Sequence, residues 1–199
     1  DVNFNKDAVS IVLSGINNGT VNYTGAYADA ADGHGQTYTY ENFEKVQKVD
    51  DIYTLTAKLT DKAGNETEKT ITFSANRFGS IYDLAEVKDI ISKYLQIEED
   101  IVFTETNVDS LDRGGIKIKL TKNGTPTDLV EGTDYTVEVT GGNGQWSVYK
   151  YTIKKALFAD DGRYSLSIYS KDAAGNVNEN IDETKEAEIS FGIDKTKPV

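Results

Sequence analysis

The sequence predicts an all-β protein: two tandem β-sandwiches joined by a segment with a short helix. Three observations predict it. Short runs alternate apolar and polar residues at period two, as half-buried strands do. Glycine-containing turn signals punctuate those runs at Asn123-Gly124, Gly141-Gly142 and Asp161-Gly162. Finally, one phrase is written twice. "TDKAGNETEKTITF" (Thr60–Phe73) returns as "KDAAGNVNENIDETKEAEISF" (Lys171–Phe191). A repeat of this length signals two copies of one structural unit.

In the first copy, residues 1–79, "IYTLTAKLT" places Tyr53, Leu55, Ala57 and Leu59 on one face. In the second, residues 100–199, "GIKIKLTKNG" sets Ile116, Ile118 and Leu120 against lysines. "DYTVEVTGG" alternates Tyr135, Val137 and Val139, and "RYSLSIYS" alternates Tyr164, Leu166 and Ile168. Tyr53 and Leu55 recur as Tyr164 and Leu166 at an offset of 111. Asp61, Gly64 and Asn65 recur as Asp172, Gly175 and Asn176 at the same offset, whereas Ile71 and Phe73 recur as Ile189 and Phe191 at 118. The second copy therefore carries seven extra residues between its turn and its last strand. "DVNFNKDAVSIVL" (Asp1–Leu13) also resembles "ETNVDSLDRGGIKIKL" (Glu105–Leu120). "DIVFTE" (Asp100–Glu105) has no counterpart in the first copy, which reads as lacking its first strand.

The repeated Asp-x-Ala-Gly-Asn has a physical reading as a hairpin turn. An aspartate carboxylate accepts backbone amides, glycine takes positive φ without Cβ strain, and asparagine tolerates the left-handed region. Asp61, Gly64, Asn65, Asp172, Gly175 and Asn176 are thus structural turn residues, with loop calcium as the competing reading. Upstream, "DDGRYSL" (Asp160–Leu166) matches the tyrosine corner of immunoglobulin sandwiches, with Leu166 where the second cysteine would stand. Tyr164 and, in the looser "DDIYTL", Tyr53 are its two tyrosines.

These phrases, with the closing "FGIDKTKPV", resemble the immunoglobulin-like repeats of large Gram-positive cell-surface proteins. Asp194, Thr196 and Pro198 fit that family's junction into a next module. The resemblance implies two immunoglobulin-like sandwiches, an extracellular, cell-wall-associated location and stalk modules without catalysis. It also raises an isopeptide crosslink between lysine and Asn or Asp on adjacent strands, for which the sequence identifies no triad.

Between the copies, over residues 80–99, the period changes. Leu84, Val87, Ile90, Ile91, Tyr94 and Leu95 fall at helical spacing, and Ser80 with Asp83 suggests a capping box. The spacing predicts a short amphipathic helix over 82–95 that packs at the second sandwich or the junction.

Composition narrows the function. The 199 residues carry 21 basic and 33 acidic side chains, net charge −12. That balance repels phosphate backbones and anionic membranes, so neither nucleic acid nor membrane is expected as a partner. There is no cysteine to hold zinc or form a disulfide. With no methionine, the sequence reads as a processed product or an excised fragment. The one histidine, His34, lies in the small-residue loop "DAADGHG", a poor platform for a catalytic base.

No phosphate loop, dinucleotide fingerprint or nucleophile elbow appears. Calcium candidates are Asp29, Asp32, Asp160, Asp161 and the Glu98–Asp100 junction, although none has the spacing of a full calcium loop. Trp146, with Tyr149 and Tyr151 nearby, is the candidate for sugar stacking; core packing is the competing reading. The tyrosines of the first copy, Tyr23, Tyr27, Tyr38 and Tyr40, allow the same two readings. The expected function is a monomeric, non-enzymatic, cofactor-free spacer that contacts neighbouring domains of its own polypeptide. The alternatives are an adhesin or glycan-binding module and an accessory domain of a carbohydrate-active enzyme.

Overall fold

A computed structural model describes residues 2–21, 27–40, 43–179 and 189–197. The chain is all-β with several sheets, and helix is confined to 3₁₀ turns of three or four residues among the described residues. It divides into two compact units, Asp1–Phe78 and Gly79–Val199.

The first unit contains β1 (Val9–Gly15), β2 (Gly19–Val21), β3 (Tyr27–Asp29), β4 (Gln36–Tyr38), β5 (Asp51–Thr60) and β6 (Glu66–Ala75). One antiparallel sheet runs β2-β1-β5-β6, and β3 pairs with β4 in a hairpin. Register follows the alternation: Leu13 opposes Leu55, Leu55 opposes Ile71 and Tyr53 opposes Phe73. Leu13, Ile52 and Tyr53 are buried.

The second unit contains β7 (Ile81–Asp83), β8 (Tyr94–Leu95), β9 (Ile101–Asn107), β10 (Lys117–Lys122), β11 (Thr125–Asp128) and β12 (Tyr135–Thr140). It continues with β13 (Ser147–Ile153), β14 (Gly162–Lys171), β15 (Val177–Glu179) and β16 (Ile189–Ile193). One sheet runs β11-β10-β14-β16-β8, with β15 also on β14; the other runs β12-β13-β9-β7. Inward residues of both sheets meet in a single buried cluster. Ile118, Leu166 and Phe191 come from the first, and Ile101, Phe103 and Tyr151 from the second. Core burial of this kind is the principal force holding a fold without disulfides.

Similar cross-strand pairs occur in the two units. Leu120 opposes Leu166 and Tyr164 opposes Phe191, as Leu13 opposes Leu55 and Tyr53 opposes Phe73. Tyr53 and Phe73 stack with centroids 5.8 Å apart, Tyr164 and Phe191 with centroids 5.7 Å apart. The continuous β6 of the first unit is represented in the second by two pieces. β15 pairs with the far end of β14 and β16 with its near end, and the seven extra residues fall between them.

The expected helix over 82–95 is replaced by two short strands and a run of turns. β7 pairs with β9 and β8 pairs in parallel with β16. Between them Val87 N donates to Leu84 O, Ile90 N to Val87 O and Lys93 N to Ile90 O, each spanning three residues. Apolar residues three apart face one way in such turns, so Leu84, Val87 and Ile90 turn inward without an α-helix. Val87 and Ile90 join the core of the second unit. Ser92, at φ 62°, ends the run. The proposed capping box is absent as well: Ser80 Oγ accepts from Asn107 Nδ2 at 2.9 Å and Asp83 Oδ1 from Ala85 N at 2.9 Å.

Candidate functional site: corners, latches and the chain exit

The two Asp-x-Ala-Gly-Asn loops are superimposable in their bonding. Asp61 N donates to Asn65 O and Gly64 N to Asp61 O, as Asp172 N does to Asn176 O and Gly175 N to Asp172 O. Each carboxylate then closes the ring. Asp61 accepts from the amides of Ala63 and Asn65, both at 2.8 Å, and from Asn65 Nδ2 at 2.9 Å. Asp172 accepts from Asn176 N at 2.8 Å, Asn176 Nδ2 at 3.0 Å and Asn107 Nδ2 at 3.1 Å. Gly64 and Gly175 take φ of 88° and 93°, where a Cβ would be strained. The Asn65 side chain, then its amide, holds the Asp61 carboxyl below the usual carboxylate range.

The strand that follows each corner is anchored by its tyrosine. Tyr53 OH donates to Val49 O and Tyr164 OH to Asp160 O, each at 2.7 Å and four residues back. A ring from the preceding connection packs edge-on against each: Phe43 on Tyr53 at 5.1 Å, Phe158 on Tyr164 at 5.3 Å.

Beside each tyrosine corner sits an aspartate that grips the departing chain. In the first unit Asp50 Oδ2 accepts from Arg77 N at 2.6 Å and Phe78 N at 3.0 Å, while Arg77 Nε donates to Oδ1 at 2.9 Å. In the second, Asp161 accepts from Lys195 N at 2.8 Å and from Thr196 Oγ1 at 2.5 Å. Asp50 and Asp161 are related by the same 111-residue offset as the tyrosines, and Arg77 and Lys195 by the same 118-residue offset as the last strands. Sequence reading had weighed Asp161 for calcium and overlooked Asp50. The "DD" shared by "DDIYTL" and "DDGRYSL" was the signal that pairs them.

In the second unit the chain exit is also tied to the chain entry. β8 and β16 run parallel, with Gly192 opposite Tyr94 and Ile193 opposite Leu95. Ser92 N donates to Ser190 O at 2.6 Å, Gly192 N to Lys93 O at 2.7 Å and Asp194 N to Leu95 O at 2.9 Å. Lys195 Nζ reaches Glu98 Oε2 at 2.8 Å and Ala159 O at 2.5 Å. Arg163 lies over the Tyr94 ring at 5.0 Å. Thr196 and the Lys195 amide hold the Asp161 carboxyl below its ordinary range, and Lys195 does the same for Glu98.

The other candidates are placed as follows. Asp160 Oδ2 accepts from Lys122 Nζ at 2.7 Å, and Asp100 Oδ1 from Lys155 N at 2.8 Å. Asp29 Oδ1 accepts from Gln36 Nε2 at 2.7 Å, and Asp32 Oδ1 from the backbone amide of exposed His34 at 2.9 Å. Among the described residues no three His, Cys, Asp or Glu side chains gather as metal ligands do. Tyr27 and Tyr38 stack at 5.8 Å across the β3–β4 hairpin. Tyr40 is half-buried; Tyr23 and Pro198 lie outside the described residues. Tyr149 and Tyr151 are buried, and Tyr149 OH accepts from Leu111 N at 2.8 Å. Trp146 is half-buried at the end of the β12–β13 connection. There Gly141, at φ 78°, lies so close to Trp146 O that a Cβ would meet it at 1.9 Å.

Sequence reading also missed a buried polar cluster. Glu105, fully buried on β9, accepts from Tyr151 OH at 2.7 Å, from Tyr82 OH at 3.2 Å and from Ser170 Oγ. Burial first, and the adjacent Glu105 second, push the phenols of Tyr82 and Tyr151 far above their ordinary range, so both remain donors. The signal lay in "IVFTETN", where Glu105 and Asn107 continue the inward phase of Ile101 and Phe103.

No family model matches the chain, and no curated protein matches it. Among solved structures it is similar to one described as "GspB Siglec domain", at 22% identity and a TM-score of 0.33, over 58% of this chain and 56% of that one. It is also similar to the collagen binding domain of Erysipelothrix rhusiopathiae surface protein RspB, at 12% identity and a TM-score of 0.17, over 96% of this chain and 77% of that one. The chain thus spans about half the length of the first of these, and at such TM-scores neither likeness carries an argument about a ligand.

Proposed function

We propose that the chain is a pair of tandem immunoglobulin-like sandwiches serving as non-catalytic spacer modules of an extracellular surface protein of a Gram-positive bacterium. The parallel β8–β16 pairing of entry and exit carries this reading. Drawing the two ends of the second unit apart slides parallel neighbours along one another. The hydrogen bonds at Ser92, Gly192 and Asp194, and the Lys195–Glu98 pair, are then strained together instead of opening one after another. Asp161 adds a grip on the last residues before the chain leaves, and Asp50 does so for the first unit. Such devices hold direction and resist tension, and they carry out no chemistry.

Single-molecule stretching of the 199-residue protein tests the reading. Gly192→Pro removes the amide that bonds Lys93 O. Under the spacer reading it lowers the force at which the second unit opens by more than its loss of thermal stability accounts for. An unchanged opening force would sink the proposal. A binding module makes a different forecast: specific capture on a glycan or matrix-protein array, abolished by Trp146→Ala with the fold intact.

A further inference from the structure

Asn-Gly occurs at Asn18-Gly19, Asn123-Gly124 and Asn143-Gly144, and all six residues are exposed. Asparagine is thermally labile, and a following glycine leaves its backbone nitrogen unshielded by any side chain. Exposure does not rank the three pairs; the anchoring of each asparagine does. Asn18 is held twice: its backbone N donates to Asp51 Oδ2 at 2.8 Å and its Nδ2 to Tyr53 OH at 3.1 Å. Asn123 is held likewise. Its backbone N donates to Arg163 O at 2.9 Å, and its Oδ1 accepts from Arg163 N at 2.8 Å. The Lys122–Thr125 pair of β10 and β11 closes its two-residue turn. Asn143 lies in the longer connection between β12 and β13, whose last ladder pair is Thr140 with Val148. The turn around it is tied by Gln145 N donating to Gly142 O at 3.1 Å. Among the described residues neither the Asn143 side chain nor the Gly144 amide has a hydrogen-bond partner. Asn123 and Asn143 share a left-handed φ, 49° and 51°, so backbone strain does not separate them.

We propose that Asn143 is a site of spontaneous deamidation, and the first of the three pairs to react in the folded chain. Water is the co-reactant, and nothing is oxidised or reduced. Gly144 N gives up its proton to hydroxide and bonds to Asn143 Cγ. The Cγ–Nδ2 bond breaks, and that nitrogen takes a proton from water and leaves as ammonia. Water then opens the cyclic imide at either carbonyl, leaving aspartate or isoaspartate. Ring closure needs the backbone between the two residues to rotate out of the turn. At Asn143 that opening releases one hydrogen bond within an exposed, glycine-rich connection, and such segments open most readily. At Asn18 and Asn123 it must also free the asparagine from Tyr53 and Asp51, or from Arg163. The product adds a negative charge to the connection that carries Trp146, and its iso form adds a backbone carbon there as well.

The test incubates the 199-residue protein in mildly alkaline buffer, folded and in urea, and follows each Asn-Gly pair by peptide mass mapping over time. Dividing the folded rate by the unfolded rate of the same pair removes the effect of local sequence. Asn143 is expected to keep at least about fivefold more of its unfolded rate than Asn18 or Asn123, the ratio set by one fewer hydrogen bond broken on opening. Enzymatic methylation of isoaspartate is expected to label residue 143 first. Asn143→Gly keeps the left-handed turn and removes the reacting carboxamide, so it is expected to erase the early product. Earlier conversion of Asn18 or Asn123, equal protection of all three, or an early product that survives Asn143→Gly overturns the proposal. So does a folded chain in which Asn143 stays intact while the unfolded chain converts it.

Discussion

Glu105 accepts from three hydroxyl donors and is fully buried between two sheets. Glu105→Ala leaves three buried hydroxyls without their acceptor, at an expected cost of about 3 kcal/mol. Glu105→Gln keeps one acceptor and is expected to cost about half as much; urea titration monitored by tyrosine fluorescence distinguishes them. The corner tyrosines offer a gentler comparison. Tyr164→Phe deletes the bond to Asp160 O and the hydroxyl's interaction with Lys122, and is expected to cost about 1 kcal/mol. Leu166→Ala, two residues on, excavates the core and is expected to cost about 2–5 kcal/mol. Both tyrosines of the corner bonds lie within "DDIYTL" and "DDGRYSL", because a corner is a local arrangement of five residues. The Glu105 cluster gathers from β7, β9, β13 and β14, and no local pattern names its partners.

Among the elements, the parallel β8–β16 pair has the clearest dependence on pH. The carboxyls of Asp161 and Glu98 sit below their ordinary values of 3.8 and 4.5 in the folded chain. A depressed carboxyl stabilises the fold fully above its unfolded value, and the contribution is lost as pH falls through the folded value. The opening force of the second unit is therefore expected to hold from neutral pH to about 5 and to decline toward about 3. Asp161→Asn combined with Glu98→Gln flattens that decline; a slope that survives the pair would place the titrating groups elsewhere. The long strands were legible because alternation at Ile116, Ile118 and Leu120 follows burial directly. β7 and β8, three and two residues long, were not. The apolar residues between them, Leu84, Val87 and Ile90, obey a three-residue turn spacing that also suits an α-helix, and only the pairing of β7 with β9 and of β8 with β16 decides between the two.

For the whole chain, the two units have very unequal cores. The second buries a large cluster from both sheets; in the first only Leu13, Ile52 and Tyr53 are buried apolar residues among those described. Net stability is a small remainder between large terms, so that inequality separates their melting. Calorimetry of the full chain is expected to show two transitions, the lower one carrying exchange of the β5–β6 amides. A single transition would mean that the units melt as one. The matching positions of the corner tyrosines and turn aspartates were readable from the 111-residue offset alone. The difference in burial emerged only once exposure at Ile71 and Phe73 could be set beside that at Ile189 and Phe191.

The seven additional residues between Glu179 and Ile189 have a practical corollary. β15 and β16 each keep their own register on β14, and the first unit joins the corresponding positions without the insertion. Lengthening a connection costs little, about 0.6 kcal/mol for each doubling. Loosening the pairing of β15 is therefore expected to leave the register of β16 on β14 unchanged, and the reverse.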